Sequence, residues 1–359
     1  MYKKYKLNLN ELLIKNLFNV RIEVSKEKLI QLRNKINQMF GSVQCFIQHA
    51  KLKNNSTFYY YLRGERNPKL SNFIQITKLL GENEANIFEH ILSFKEGNRG
   101  KRVKLPKEIV ITPEFVEGYS LYRGDGSFAD SLRRVCLTNS DTELILFFIN
   151  WLYKNFKIEP STLHAYVKYI NESQRKYFIR FLHRAGIKNI KCYYSPRVIN
   201  LKNMKDYERN SSIIDITFNS KFLFRLIKEI EPTIERITLN DKEIALAYLR
   251  GIFAAEGSCN YNDKNKTRIV ILSNKNKHLI NFISRLLLFY DIRSYISYKK
   301  EDELYRLLIT GKDNLIKFSF LNGFGHHKIK QNKLKEIIKT YKTPVEKGTK
   351  WIPKNLWNK

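Results

Sequence analysis

The chain is poor in the residues that staple small folds. Its four cysteines (Cys45, Cys136, Cys192, Cys259) are scattered over 359 residues with no C-x-x-C pair. That spacing excludes a disulfide framework or a thiolate zinc site and leaves reduced thiols. The seven histidines show no H-x-x-x-H spacing; His326 and His327 are only adjacent. Long apolar runs are missing too. The longest, Leu144–Tyr153, carries Asn150 and is shorter than the ~20 residues a spanning helix needs. The N-terminal MYKKYKLNLNELLIKNL has a basic front but lacks the uninterrupted apolar core of a signal peptide. No membrane partner is expected.

Acid is scarce as well: 34 Asp+Glu stand against 65 Lys+Arg, a formal charge of +31. An excess of this size points to a polyanionic partner, and with the membrane set aside that partner is nucleic acid. A small acidic substrate would not need it. The expected location is cytoplasmic, associated with the nucleoid. Hydrophobic residues make up 43%, enough for packed cores, and the length leaves room for two or three domains. The stretch EGNRGKRVKLP, rich in glycine and charge and closed by Pro106, reads as a boundary. The expected division is a domain over 1–97, a linker over 98–106, two repeats over 107–239 and 240–340, and a tail over 341–359 in which Trp351 and Trp357 dock on the body.

The repeat is the most informative feature. TNSDTELILFFINWL (from Thr138) and SNKNKHLINFISRLL (from Ser273) carry the same helical stripe. Leu144, Phe147, Phe148, Trp151 and Leu152 match Leu279, Phe282, Ile283, Leu286 and Leu287 at a constant offset of 135. Asn139 and Asn274 precede the two helices as expected N-caps. Strands surround them. TLHAYVKYI, SIIDITFNS and SYISYKK alternate with period two, so each sheet should pack on helices by one side. The other side carries His164, Tyr166 and Lys168, and again Tyr295, Ser297 and Lys299. These faces are either plainly solvated or a β-surface that enters the DNA major groove; the charge of the chain favours the second.

Each repeat opens with an unusual helix: PEFVEGYSLYRGDGSF (Pro113–Phe128) and KEIALAYLRGIFAAEGSC (Lys242–Cys259). Ser120 and Gly124 are four apart, as are Gly251 and Ala255, so small residues line one face of each helix and permit close approach. Both helices then end in acid–glycine, Asp125-Gly126 and Glu256-Gly257. A glycine there is an ordinary C-cap, but a carboxylate faces the negative end of the helix dipole. Two such acids brought together need compensation, and a divalent cation with phosphate oxygens and water, of the Mg²⁺ type, supplies it. A lone acid–glycine pair is usually a turn; two at the heads of a repeat are not.

GYSLYRGDG and LRGIFAAEG resemble the two motifs of single-chain LAGLIDADG homing endonucleases, over about residues 107–340. Gly118 stands where a leucine is usual and Arg123 where an acid is common, while both final acids and glycines are kept. The resemblance implies an α+β fold: a pseudo-symmetric, duplicated αββαββα body whose sheets straddle double-stranded DNA. It implies Asp125 and Glu256 as metal ligands and catalytic groups, one per half, cutting both strands with Mg²⁺ or another divalent cation. Lysines near the scissile phosphate are common in the family. Lys221 and Lys312, each just after a strand in DITFNSKFLF and LLITGKDNLI, are the candidates, with Lys168 and Lys299 as rivals and surface lysines as the plain alternative. The first half carries about forty extra residues near 170–210, read as an inserted helix–strand element.

Upstream, RGERNP (Arg63–Pro68) followed by LSNFIQITKLLG resembles the end of a Cro/repressor-type helix-turn-helix domain, small and mainly α. A helix is expected over 26–40, with Gly41 ending it, and Leu70, Phe73, Ile76 and Leu80 as a buried face. The resemblance places a recognition helix at about Asn54–Leu62, with Asn55, Ser56, Thr57, Tyr59 and Tyr60, and Arg63 beyond it, toward DNA. A three-helix interaction domain is the alternative. The whole reads as a site-specific double-strand DNA endonuclease acting as a monomer with internal pseudo-two-fold symmetry. The chain lacks the terminal His-Asn of a self-splicing intein, so a free-standing or intron-encoded homing enzyme is expected. A non-cleaving transcription regulator on the same scaffold and an RNA intron maturase are the rivals.

Overall fold

The computed structural model describes residues 5–16, 20–51, 55–83, 87–96, 100–127, 133–195 and 212–341. The tail beyond Tyr341, with Trp351 and Trp357, lies outside them, as do residues 196–211 of the expected insert and Phe128 at the end of the first motif. The fold is α+β. It resolves into two compact units: Met1–Ile111 with Ser127–Cys136 and Ile149–Thr233, and Thr112–Gly126 with Leu137–Phe148 and Ile234–Lys359.

In the first unit, strand β1 (Tyr5–Leu7) precedes helix α1 (Leu9–Asn16), and strand β2 (Arg21–Val24) leads into helix α2 (Lys26–Phe40). Ser25 caps α2 by accepting from the Lys28 N–H, and Gly41 closes it at φ +76° with its N–H on the Asn37 carbonyl. Helices α3 (Val43–His49), α4 (Asn55–Leu62) and α5 (Leu70–Leu79) follow. Gly64 makes the turn after α4 at φ +75°, and Leu70, Phe73, Ile76 and Leu80 are all buried. Strands β3 (Ile91–Lys95) and β4 (Ile109–Ile111) then return, β3 antiparallel to β2 and β4 antiparallel to β1. The stretch between them is tied down locally. Val103 bonds Phe94 through both backbone groups, the Lys101 N–H donates to the Asn219 carbonyl, and Phe94 stacks on Phe222.

One four-stranded sheet runs β5 (Val135–Asn139), β8 (Ile213–Phe218), β6 (His164–Tyr169), β7 (Asn189–Tyr194). Strand β6 is antiparallel to β8 but parallel to β7. A parallel neighbour requires a crossover, and helix α8 (Glu172–Arg184) provides it, burying Phe178 and Leu182. Helix α7 (Thr142–Phe156) precedes β6, and helix α9 (Lys221–Thr238) follows β8 and runs on through Pro232. The stripe of α7 is buried as its spacing requires, Leu144, Phe148, Trp151 and Leu152 all being 1% exposed or less.

The second unit holds both motif helices, α6 (Pro113–Asp125) and α10 (Lys242–Glu256). Its antiparallel sheet runs β9 (Gly257–Asn262), β10 (Thr267–Asn274), β12 (Leu304–Thr310), β11 (Tyr295–Lys299). Helix α11 (Lys277–Leu288) buries its whole stripe, and α12 (Lys312–Phe320) and α13 (Lys328–Lys339) close the chain. The order of β10, β12 and β11 repeats that of β5, β8 and β6 in the other sheet. Strand β11 departs from the expected one-sided burial: Ile296 and Tyr298 are 41% and 52% exposed on a strand that lies at the edge of its sheet and pairs on one side only. Among the described residues no helix is long and apolar enough to cross a membrane.

Helices α6 and α10 touch through their small faces. A Cβ on Gly251 would stand 2.1 Å from the Glu117 carbonyl oxygen and from Ser120 Oγ; one on Gly124 would stand 2.4 Å from the Ala255 Cβ. Gly251→Ala should therefore force the helices apart and cost ~1–3 kcal/mol; a melting temperature equal to that of the parent would refute such contact. Glu117, on α6, keeps only 13% of its side chain exposed. Burial pushes its carboxyl up to about 7, against the pull of Arg250 and with added repulsion from Glu114. Between the ordinary 4.5 and that value folding takes up a proton, so stability falls as pH rises through the interval. Glu117→Gln should raise the melting temperature at pH 8 and leave it nearly unchanged at pH 4. Equal gains at both pH values would exclude ionisation as the cause.

Candidate active site at the ends of the motif helices

Thr112 caps α6 by accepting from the Phe115 N–H, and Asp241 caps α10 by accepting from Glu243 and Ile244. Both helices end at their acids, Asp125 and Glu256. The glycines that follow are not left-handed caps. Gly126 (φ −85°, ψ 160°) and Gly257 (φ −75°, ψ 149°) are extended. Glycine is required for another reason: a Cβ would meet the Tyr122 carbonyl oxygen at 2.1 Å in one helix and that of Phe253 at 2.4 Å in the other. The backbone thus passes from helix to an extended glycine and leaves each carboxylate at the corner.

The close packing brings the two acids together. The charge of Asp125 acts on Glu256, whose side chain lies within reach of the Gly124 backbone (a Cβ there would be 3.1 Å from Glu256 Cγ). Burial pushes Asp125 up to about 6. Glu256 rises to about 7, through burial first and repulsion from Asp125 second. Against these stands Lys330, in the first turn of α13. Its ammonium donates to the carbonyls of Ala254 (2.7 Å) and Ala255 (2.9 Å) at the end of α10, where the helix dipole favours a cation. Burial lowers Lys330 to about 8 while Asp125 and Glu256 pull it up.

Two asparagines hold the acids. Asn139 Nδ2 donates to Asp125 Oδ2 at 2.5 Å, and Asn274 hydrogen-bonds Glu256. Each anchors itself through its own Oδ1, which accepts from a backbone N–H two residues on: Asp141 at 2.7 Å and Asn276 at 2.9 Å. They are therefore not the N-caps. Asp141 Oδ1 accepts from Glu143 and Leu144 at the start of α7, and Asn276 accepts from Leu279 at the start of α11. Caps and acid-holders are both repeated, in register, at the offset of 135. Below them His327 caps α13 and lies 3.4 Å from Asp141. Burial first and the nearby Lys330 second depress it to about 3, so it stays neutral.

The other expected residues are placed elsewhere. Lys221 is ion-paired with Glu96 at 2.5 Å. Lys312 starts α12 with its ammonium 5.9 Å from the centre of the Tyr341 ring. The lysine that the two acids feel is Lys330. Lys168 pairs with Asp215 at 3.4 Å, and Lys299 with Asp302 at 2.6 Å. His164, Tyr166 and Lys168 share one face of β6, and Tyr295, Ser297 and Lys299 one face of β11. On α4, Ser56 and Tyr60 are exposed, Thr57 and Tyr59 half-buried, and Arg63 exposed just beyond; the Asn55 side chain is outside the described set.

Asp125 and Glu256 suit a divalent cation. They are oxygen donors whose mutual repulsion such an ion would relieve, and hard cations take carboxylates. Among the described residues no group of three or more His, Cys, Asp or Glu could hold a metal ion. Sequence reasoning missed Lys330, which sits in an ordinary basic helix, KIKQNKLKEIIK. It noticed Asn139 and Asn274 but gave them the wrong work.

Residues 243–321 match the family model of a LAGLIDADG-like domain. None of the curated proteins matches the chain in sequence. Among solved structures, a mesophilic variant of the homing endonuclease I-DmoI aligns at 20% identity over 58% of this chain and 90% of its own, with TM-score 0.30. I-DmoI in complex with DNA and Mn aligns at 20% identity over 58% and 95%, TM-score 0.29. Full-length WhiA from Thermatoga maritima aligns at 13% identity over 65% and 62%, TM-score 0.36. What the match shows for this chain is a LAGLIDADG-like domain over residues 243–321, set in an α+β fold.

Proposed function

We propose that the chain is a site-specific, metal-dependent double-strand DNA endonuclease. The observation that carries this reading is the meeting of Asp125 and Glu256 at the ends of two tightly packed helices, with Lys330 beside them. Two carboxylates held close together and partly desolvated are costly. A fold that keeps them, and repeats the asparagine that orients each, is spending stability on a task. The net charge of +31 and the LAGLIDADG-like domain supply the substrate class, duplex DNA.

In this reading Asp125 and Glu256 hold the cation, which when bound polarises the scissile phosphate and lowers the pKa of water. Asn139 and Asn274 fix the rotamers of the acids. Lys330 offsets the negative charge that develops on the phosphate oxygens. The faces of β6 and β11 read the duplex, and α3 with α4 acts as a helix-turn-helix ahead of the repeats, which would raise affinity through effective concentration. The linker over 98–106 and a single chain acting as a monomer belong to the same proposal.

A second reading is a DNA-binding regulator that does not cut. The position of Lys330 favours it, because its ammonium already supplies counter-charge to both acids. Incubation with a randomised plasmid library and Mg²⁺ separates the two. Cleavage at a defined sequence supports the endonuclease; intact plasmid at concentrations where binding is saturated supports the regulator. Asp125→Asn and Glu256→Gln should each lower cleavage by ~10²-fold or more while duplex binding persists; parental rates from either would sink the assignment. Lys330→Met should lower the melting temperature in EDTA and enlarge the gain from added Mg²⁺, since the ion then meets unscreened carboxylates. An Mg²⁺ effect identical in parent and variant would place Lys330 outside the site.

A further inference from the structure

The two four-stranded sheets differ at the edge beyond β6 and β11: among the described residues β11 is the last strand of one, while in the other β6 is followed by β7. The added strand is built rather than incidental. It pairs with β6 in parallel over six residues, from His164↔Asn189 to Tyr169↔Tyr194. Helix α8 lies beside it, with Arg175 over the Tyr169 ring at 5.8 Å and Tyr194 packed on the same ring.

The register fixes what β7 presents outward. Asn189, Lys191 and Tyr193 stand beside His164, Tyr166 and Lys168 on one face, and all three are exposed. The rings of Tyr166 and Tyr193 stack at 6.3 Å and 20°. The face is cationic. Asp215, its acid, is already paired with Lys168, while Lys101 and Lys191 lie close enough to His164 to depress it further after burial. A row of lysine, tyrosine, asparagine and neutral imidazole offers donors and acceptors to base edges within a positive field.

We propose that β7 extends the DNA-reading surface of this sheet, so that Lys191 and Tyr193 specify base pairs at one end of the target with no counterpart at the other end. The proposal rests on the DNA reading above and goes beyond it. A strand adds ~4.8 Å of sheet width against ~3.4 Å per base pair, so the gain is about one to two base pairs. The charge of the face suits a duplex and disfavours an acidic-poor peptide added to the β7 edge.

The test is selection of bound sequences from a randomised duplex pool by the full chain, compared with Lys191→Ala and Tyr193→Ala. Both side chains are exposed, so circular dichroism and melting should match the parent. The expected result is loss of preference, by about threefold to tenfold per position, at one or two adjacent positions at a single end of the site. Preferences elsewhere stay intact. Unchanged preferences in both variants, or a loss spread evenly over the site, would overturn the proposal. A parent chain that enriches no sequence would instead overturn the DNA reading itself and take this inference with it.

Discussion

The contact on which the rest depends is backbone against backbone between α6 and α10. Gly251 lies where any side chain would strike the Glu117 carbonyl and Ser120, and Gly124 lies where one would strike Ala255. Dispersion between surfaces this close is strong, but it acts only while both partners stay small. The same contact sets the electrostatics. Helices that approach so tightly must bring their C-terminal residues together, and those residues are Asp125 and Glu256. The extended glycines then turn each chain away at once, since a Cβ would collide with the preceding turn. Steric closeness and charge repulsion are two consequences of one geometry.

Much of this was legible in the sequence because it obeys periodicity. The stripes at Leu144 and Leu279, the helix over 26–40, and the small faces of α6 and α10 all follow from spacing on a regular element. Duplication made the reading sharper, since a spacing found twice in register is hard to obtain by chance. The features that were misread share a different property. Asn139 looked like a cap because asparagine before a helix usually is one; its true partner, Asp125, is 14 residues away and becomes a neighbour only after the strand folds back. Asp141, two residues further, does the capping.

Lys330 illustrates the harder case. Alignment of the halves paired Lys221 with Lys312 because both follow a strand. In one half the helix after the strand, α9, runs unbroken from Lys221 to Thr238. In the other it stops at Phe320, and the chain turns through Gly323 and Gly325 before α13 begins at Lys328. Gly325 adopts φ +50°, and a Cβ there would meet Glu117 Oε1 at 2.6 Å. The break gives α13 its own direction and brings Lys330 to the carbonyl end of α10. No position in α9 corresponds to it, so comparison of the halves could not reveal it.

The two halves have therefore diverged at different places for different reasons. The acids and their asparagines are kept in pairs, which is what a task shared between two opposed positions requires. Among the described residues the lysine's hydrogen bonding is one-sided: Lys330 donates to the end of α10, although its charge acts on both acids. The added strand β7 is single. If both asymmetries serve the same substrate, the two strands of a duplex would meet unequal chemistry as well as unequal reading surfaces.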